Sequence, residues 1–404
     1  MNKTPFTAAL VAAGLLTAAE PQIEKLDLFE AGTEGYALYR IPGIVTTAKA
    51  TLLAYCEARK GERGDWGTID IWLRRSTDGG KTWSARRKMA EAPGPHAKNP
   101  AAVAQKLASP EDRTYNNPVA IAGRDGTVHF LFCLEYMRAY YLRSGDDGLT
   151  WTNPVEITST FEKFRDEYPW KVLATGPGHG IELANGRLLV PVWLSTGTGG
   201  HAHRPSVVSV IYSDDQGKTW VRGQIAVPNT PGSVYPSESA AVELAGGRVM
   251  LNVRSESKAH RRLITYSRDG ATGWTQPVFH DQLLEPICMA GMVRLSEAAG
   301  GQKNRLLFSN PHNLERGGAA EPGTPHDRKN LAIKLSYDEG ETWPVSRVLE
   351  PGFAGYSDLA AGRDGWIYCF FERGGLGDNH FRSAYLTLAR FNLEWLTGEK
   401  DSWR

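Results

Sequence analysis

An all-β chain closed into a six-bladed β-propeller is the fold the sequence predicts, on three observations. A turn motif, Ser76-Thr-Asp78-Gly-Gly80-Lys-Thr82-Trp83, returns as SGDDGLTW (144–151), SDDQGKTW (213–220) and SYDEGETW (336–343), with a decayed copy, SRDGATGW (267–274). Its copies start at blade-sized intervals, and self-similarity of that period marks a repeat architecture. Between the copies, β-rich apolar runs fold back on Gly turns, as in IELANGRLLVPVW and AVELAGGRVMLNV. Six units of four strands would use residues 20–404 at about 64 residues each, which leaves nothing for a second domain. Two β-sandwiches are the competing architecture, but they leave the repeat unexplained.

Taken from the N-terminus, Lys3 precedes a short apolar stretch, Ala8 to Ala19, that ends in small residues. This is the layout of a signal peptide over residues 1–19, too short for a membrane span, and it predicts a secreted or periplasmic protein. A buried N-terminal helix is the alternative. Leu26 to Phe29 is expected to pair with the strands around Tyr385 to Phe391 and close the ring. Asn185-Gly186 and Asp364-Gly365 are hairpin signals, because a type I′ turn needs positive φ at both central residues. Helical periodicity is confined to Ser159 to Glu167. Residues 93–114 form a long connection placed to cover or flank a cleft. Within the repeat, Asp and Ser side chains can bond the turn's own backbone, Gly tolerates positive φ, and Trp can pack on the blade, so the motif reads as a staple rather than as chemistry.

Net charge is +1, from 46 basic and 45 acidic residues, and no long run of one sign occurs. Bulk electrostatics therefore favour neither nucleic acid nor a membrane surface as partner. Cys56, Cys133 and Cys369 sit in apolar runs, and with Cys288 they read as buried thiols rather than a disulfide framework. His201 and His203 have no clear third metal ligand nearby, and Lys258 to Arg262 reads as a solvated hairpin tip.

The candidate chemistry lies outside the repeats. Arg40, in YRIPG, is a cation in an apolar strand, which demands an acidic partner or an anionic ligand. Arg254 ends VMLNVR, Glu372 ends WIYCFFE, and Glu238 and Tyr356 stand just before apolar hairpin strands. With these residues in this order, the chain resembles the bacterial exo-sialidase (neuraminidase) family of glycoside hydrolases over nearly everything after residue 19. YRIP matches the motif of the first arginine of a carboxylate-binding triad; Arg254 and Arg328, in RKNLAIKLSYDEG, fall at the other two. Asp65, in GERGDWGTIDIWLRR, falls at the general acid/base aspartate. Glu238, in PSESAAVEL, falls at the partner of the nucleophile, Tyr356, in GYSDL, at the tyrosine nucleophile, and Glu372 at the glutamate that orients the first arginine. PGHGI also resembles a segment near the active face, leaving His179 open between lining the pocket and shaping a Gly-rich turn. Trp66, beside Asp65, is placed to shape the leaving-group side.

The resemblance implies a retaining exo-α-sialidase with a tyrosyl-sialoside intermediate and no metal or organic cofactor. Its partners would be sialylated glycoproteins, glycolipids or oligosaccharides, and the protein a monomer. Two alternatives stay open: a trans-sialidase using the same residues, and a non-catalytic propeller that binds glycans or protein partners.

Overall fold

The computed structural model describes residues 20–61, 64–89, 91–198, 200–299, 302–315, 328–377 and 379–403; the segment 1–19 read as a signal peptide lies outside them. The described chain is all-β, as expected, and runs through antiparallel sheets in sequence order. The first sheet holds Leu38–Thr46, Leu52–Arg59, Ile69–Ser76 and Arg87–Lys88. Tyr115–Ala122, Val128–Leu134, Arg138–Ser144 and Val155–Glu156 make the second, joined at its inner edge by the parallel pair Gly178–His179. In the third, Val172–Thr175 and Ile181–Glu182 both pair with Leu188–Ser195, followed by Ser206–Ser213 and Val221–Arg222. The fourth is Ser239–Glu243, Val249–Val253, Arg261–Ser267 and Val278–Leu284.

The remaining strands form one continuous seven-stranded sheet, because Val345–Ala361 takes part in two sets of pairings. Its first half closes the set Gly291–Ser296, Arg305–Pro311, Lys329–Ser336. Its second half opens the set completed by Ile367–Leu376, Asn379–Phe391 and Ile23–Glu30. The expected closure is present: Leu26 pairs with Leu388 and Phe29 with Leu386. Apolar clusters fill the spaces between successive sheets, for example Tyr55, Leu73, Phe130 and Phe132 between the first and second. Each such side chain contributes about 1.5–3 kcal/mol on burial.

Every repeat lies just after a third strand and has the Ser–Asp staple, and the first two copies, at Trp83 and Trp151, add a bond from the indole to a Gly carbonyl. Asp78 accepts the Thr82 amide at 2.9 Å and the Thr82 hydroxyl at 2.6 Å, Gly80 N–H donates to Ser76 Oγ at 2.9 Å, and Trp83 Nε1 donates to Gly80 O at 3.1 Å. The decayed copy survives by a shift of one residue, Thr272 donating both its amide and hydroxyl to Asp269.

These bonds bear on acid stability. The Thr150 hydroxyl and amide hold the Asp146 carboxyl at about 2, and the Thr219 amide and hydroxyl do the same for Asp215. A carboxyl lowered in the folded state stabilises the fold above its ordinary value, and that contribution is lost as pH falls through the lowered one. Buried neutral histidines such as His129 already cost stability below about pH 6.5, so thermal stability is expected to fall from there and to fall further between about pH 4 and 2, with the decline between pH 4 and 2 shallower in Asp146→Asn. A decline of equal steepness in that variant would contradict the account.

Two expectations need correction. Among the described residues three five-residue helices are present, Pro100–Ala104, Thr158–Glu162 and Leu393–Thr397, of which the periodicity marked only the middle one. Lys258 to Arg262 is not wholly solvated: Arg262 is 0% exposed, donating to Glu285 and to Cys288 O, because a guanidinium needs such partners once the strand it sits on turns inward. All four cysteines are free and buried. No described helix is long and apolar enough to cross a membrane.

Candidate active site

The sheets leave a cavity of about 420 Å³, lined by Arg40, Asp65, Glu238, Arg254, Arg328 and Tyr356. Glu372 lies directly beneath, 1% exposed. Residues separated by more than 330 positions thus meet, as Arg40 does Glu372.

The strand Leu38–Thr46 carries Arg40 into the cavity at a bulge, where Ile41 has φ +60°. A bulge re-aims a side chain without ending the strand. Glu372 receives Arg40 in two parallel bonds, Nε to Oε1 at 3.0 Å and Nη2 to Oε2 at 3.2 Å, a geometry lysine could not supply. The same carboxylate accepts the amides of Ile41 and Tyr356, each at 3.1 Å. Glu372 therefore fixes Arg40 and the backbone of Tyr356 together. Gly355 is required beside it: a Cβ there would lie 2.3 Å from Glu372 Oε2.

Tyr356 Oη donates to Glu238 Oε1 at 2.7 Å and accepts from Arg254 Nη1 at 2.7 Å. Arg254 also pairs with Glu238 Oε2. The guanidiniums of Arg40 and Arg328 each lie 5.2 Å from the centre of the Tyr356 ring, and Arg328 Nη2 donates to Ile287 O. Burial pushes the phenol well above its usual range; Arg254 pulls the other way and Glu238 adds to the rise. The hydroxyl is therefore a neutral donor to Glu238.

Asp65 sits on the 3₁₀ turn Gly64–Trp66 with its side chain 39% exposed, and Arg59 Nη2 reaches its Oδ1 at 2.8 Å. Burial opposes its ionisation, but Arg59, then His203 and Arg40, outweigh that and hold the carboxyl below the usual range. Arg59 was not anticipated from the sequence. It stands six residues before Asp65 in EARKGERGD, where it reads as a surface charge, yet it is 2% exposed and donates to Glu57 Oε2 at 2.7 Å.

The wall beside Asp65 was also not anticipated. His203 packs against Tyr136, Trp193 and Trp66 with ring centres 5.0, 5.3 and 5.4 Å away, and burial lowers its pKa to about 4 despite the pull of Asp65. It is a neutral ring in the cavity wall; among the described residues no group of three His, Cys, Asp or Glu side chains could hold a metal. Trp66 does not line the cavity but packs behind His203, 4% exposed, in place of the expected leaving-group role. The 93–114 connection does not line it either. Its Ala101 and Ala102 pack with Trp66, Trp193 and Ala202, and Gln105 donates to Gly197 O at 3.3 Å, so it braces the His203 loop from outside. His179 faces a different cavity, of about 360 Å³, lined by inner-strand residues from every sheet.

Residues 50–369 match the family described as BNR repeat-like domain. The chain is 30% identical over 404 residues to a sialidase of Micromonospora viridifaciens, covering 96% of this chain and 57% of that protein. It is 32% identical over 349 residues to a sialidase of Bacteroides fragilis, covering 82% and 59%. The chain thus spans less than two thirds of the length of these two curated relatives. Among solved structures, Hadza microbial sialidase Hz136 superposes with a TM-score of 0.72 at 27% identity, over 92% of this chain and 69% of that one. A leech intramolecular trans-sialidase superposes with a TM-score of 0.73 at 18% identity, over 93% and 71%, a likeness of fold alone.

Proposed function

Since the chain belongs to the BNR repeat-like domain family, alongside bacterial sialidases, we propose that it is a retaining exo-α-sialidase acting on terminal sialic acids of glycoconjugates, built as a six-bladed propeller with the two halves of Val345–Ala361 shared between neighbouring blades. The observation that carries the reading is Tyr356 Oη, held at 2.7 Å both from the carboxylate of Glu238 and from the guanidinium of Arg254, in a cavity whose lining includes Arg40, Arg254 and Arg328.

Sialic acid bears a carboxylate on its anomeric carbon. Arg40, Arg254 and Arg328 would receive it, and a carboxylate nucleophile would meet Coulombic repulsion there that grows as water leaves. A neutral tyrosine avoids that repulsion, and sialidases are the recognised exception to the two-carboxylate rule of glycosidases. Tyrosine's weakness is its pKa: the mismatch with an ordinary glutamate corresponds to roughly 8 kcal/mol for complete proton transfer. Glu238 therefore takes the proton as Oη attacks, while Arg254 stabilises the emerging phenolate.

Asp65 would protonate the leaving oxygen and afterwards deprotonate water. It is an anion in the empty site, so it must gain its proton as substrate binds. The entering carboxylate offsets the positive field of Arg40, and the sugar covers a side chain that is 39% exposed; both changes raise its pKa. The two displacements return the anomeric carbon to its starting configuration.

Incubation with an aryl α-sialoside, followed by NMR of the released sugar, tests this reading. The α-anomer is expected first, and only later its mutarotation product. Initial β-product would contradict retention, and no release would remove the hydrolase assignment. Excess lactose in the same assay separates hydrolysis from transfer, which would use the same residues with a better acceptor site.

A further inference from the structure

Beneath the floor of the candidate active site lies a buried ion pair that the chemistry above does not use. Asp358 is two residues beyond Tyr356 on the same strand, so both side chains lie on one face. Its carboxylate, 1% exposed, makes three bonds: His179 Nδ1 at 2.7 Å to Oδ1, the Leu359 amide at 2.9 Å to Oδ1, and the Ile44 amide at 3.0 Å to Oδ2. Ile44 lies on the strand that carries Arg40, and His179 on the segment bridging the second and third sheets.

The surroundings leave this arrangement little freedom. Gly178, next to His179, has φ +95°, and a Cβ there would lie 2.5 Å from Met289 Cε. Met289 packs with Ile41, Cys288 and Tyr356 in the layer separating the two cavities. Gly178 O accepts Tyr55 Oη at 2.6 Å, and Ser357, between Tyr356 and Asp358, bonds Ser309 Oγ at 2.8 Å. Burial disfavours a charge on His179, but Asp358 overcomes it and raises its pKa.

We propose that His179 and Asp358 are positioning residues for the nucleophile: a buried carboxylate, oriented by the histidine, sets the strand of Tyr356 against the neighbouring strand of Arg40. The inference rests on the sialidase reading for its catalytic consequence only. Glu372 holds the Arg40 guanidinium itself by two bonds, so substrate binding is largely independent of the pair, but it holds Tyr356 only by the backbone amide, which leaves the line of attack of Oη dependent on how the rest of the strand is seated.

The test compares His179→Asn, whose amide nitrogen can stand where Nδ1 stood, with His179→Gln, whose amide lies one bond further out. In the full chain acting on an aryl α-sialoside, His179→Gln is expected to lose about 10- to 100-fold in kcat with KM changed by less than about threefold, and His179→Asn to recover most of the loss. An unchanged kcat in His179→Gln, a change in KM alone, or equal losses in both variants would overturn the proposal. The geometric half is read separately by amide hydrogen exchange. The Ile44 and Leu359 amides are expected to exchange about tenfold faster in His179→Gln than in the parent, while core amides of the second sheet stay unchanged. Parent protein that cleaves no sialoside would remove the functional reading, and exchange at those two amides would still support or overturn the positioning role.

Discussion

Tyr356→Phe is expected to lower turnover of an aryl α-sialoside by about 10³-fold or more, with the fold intact. The substitution removes one oxygen. Arg254 and Glu238 remain paired with each other, and the ring keeps its place under Arg40 and Arg328, so no buried charge is stranded. What disappears is the atom that, in the proposed mechanism, forms the glycosyl bond and delivers its proton to Glu238 in one motion. Steady-state kinetics alongside a thermal unfolding curve checks this. Activity within tenfold of the parent at unchanged stability would mean that the covalent intermediate is not formed on this oxygen.

Asp65→Asn is expected to cost about 10²- to 10⁴-fold on a sialyl sugar, whose leaving alkoxide needs a proton, and far less on the sialoside of an acidic phenol. The pH profiles carry the same signature. Arg59 and Arg40 keep the free Asp65 ionised, and bound substrate raises its pKa, so the protonated form persists to higher pH in the complex. The alkaline limb of kcat should therefore lie above that of kcat/KM, and it should vanish in Asp65→Asn. Equal losses on both classes of leaving group would take the acid role from Asp65.

The parts of this molecule legible in its sequence are those whose physics is local or whose pattern is shared. The staple is made within eight residues, Ser76 through Trp83, so spacing alone predicted its bonds. The candidate site was legible only through resemblance: composition does not say that Arg40 and Glu372 meet, since 331 residues separate the amide of Ile41 from the carboxylate that accepts it. Arg59 was missed because a charged run in a loop reads as solvated, and burial of its guanidinium against Glu57 depends on the neighbouring sheet, which supplies the Asn117 amide at 2.9 Å to the same carboxylate. His203 and Trp193 come to the cavity on a long loop and a strand end whose direction no periodicity encodes. Helices of five residues, such as Pro100–Ala104, span little more than one turn, too short for a pattern to repeat.

The pairing of Ile23–Glu30 with Asn379–Phe391 has a consequence for the order in which the molecule is made. The last sheet contains Glu372 and the half-strand bearing Tyr356, and its outer strand is the first one synthesised. During translation that strand must wait unpaired while four sheets and the first half of the seven-stranded one form, and the entropy of joining ends so far apart in sequence comes last. A nascent chain can thus hold Arg40 on Leu38–Thr46 long before it has Glu372 and Tyr356 to set against it, and the candidate site is complete only when the last sheet has formed.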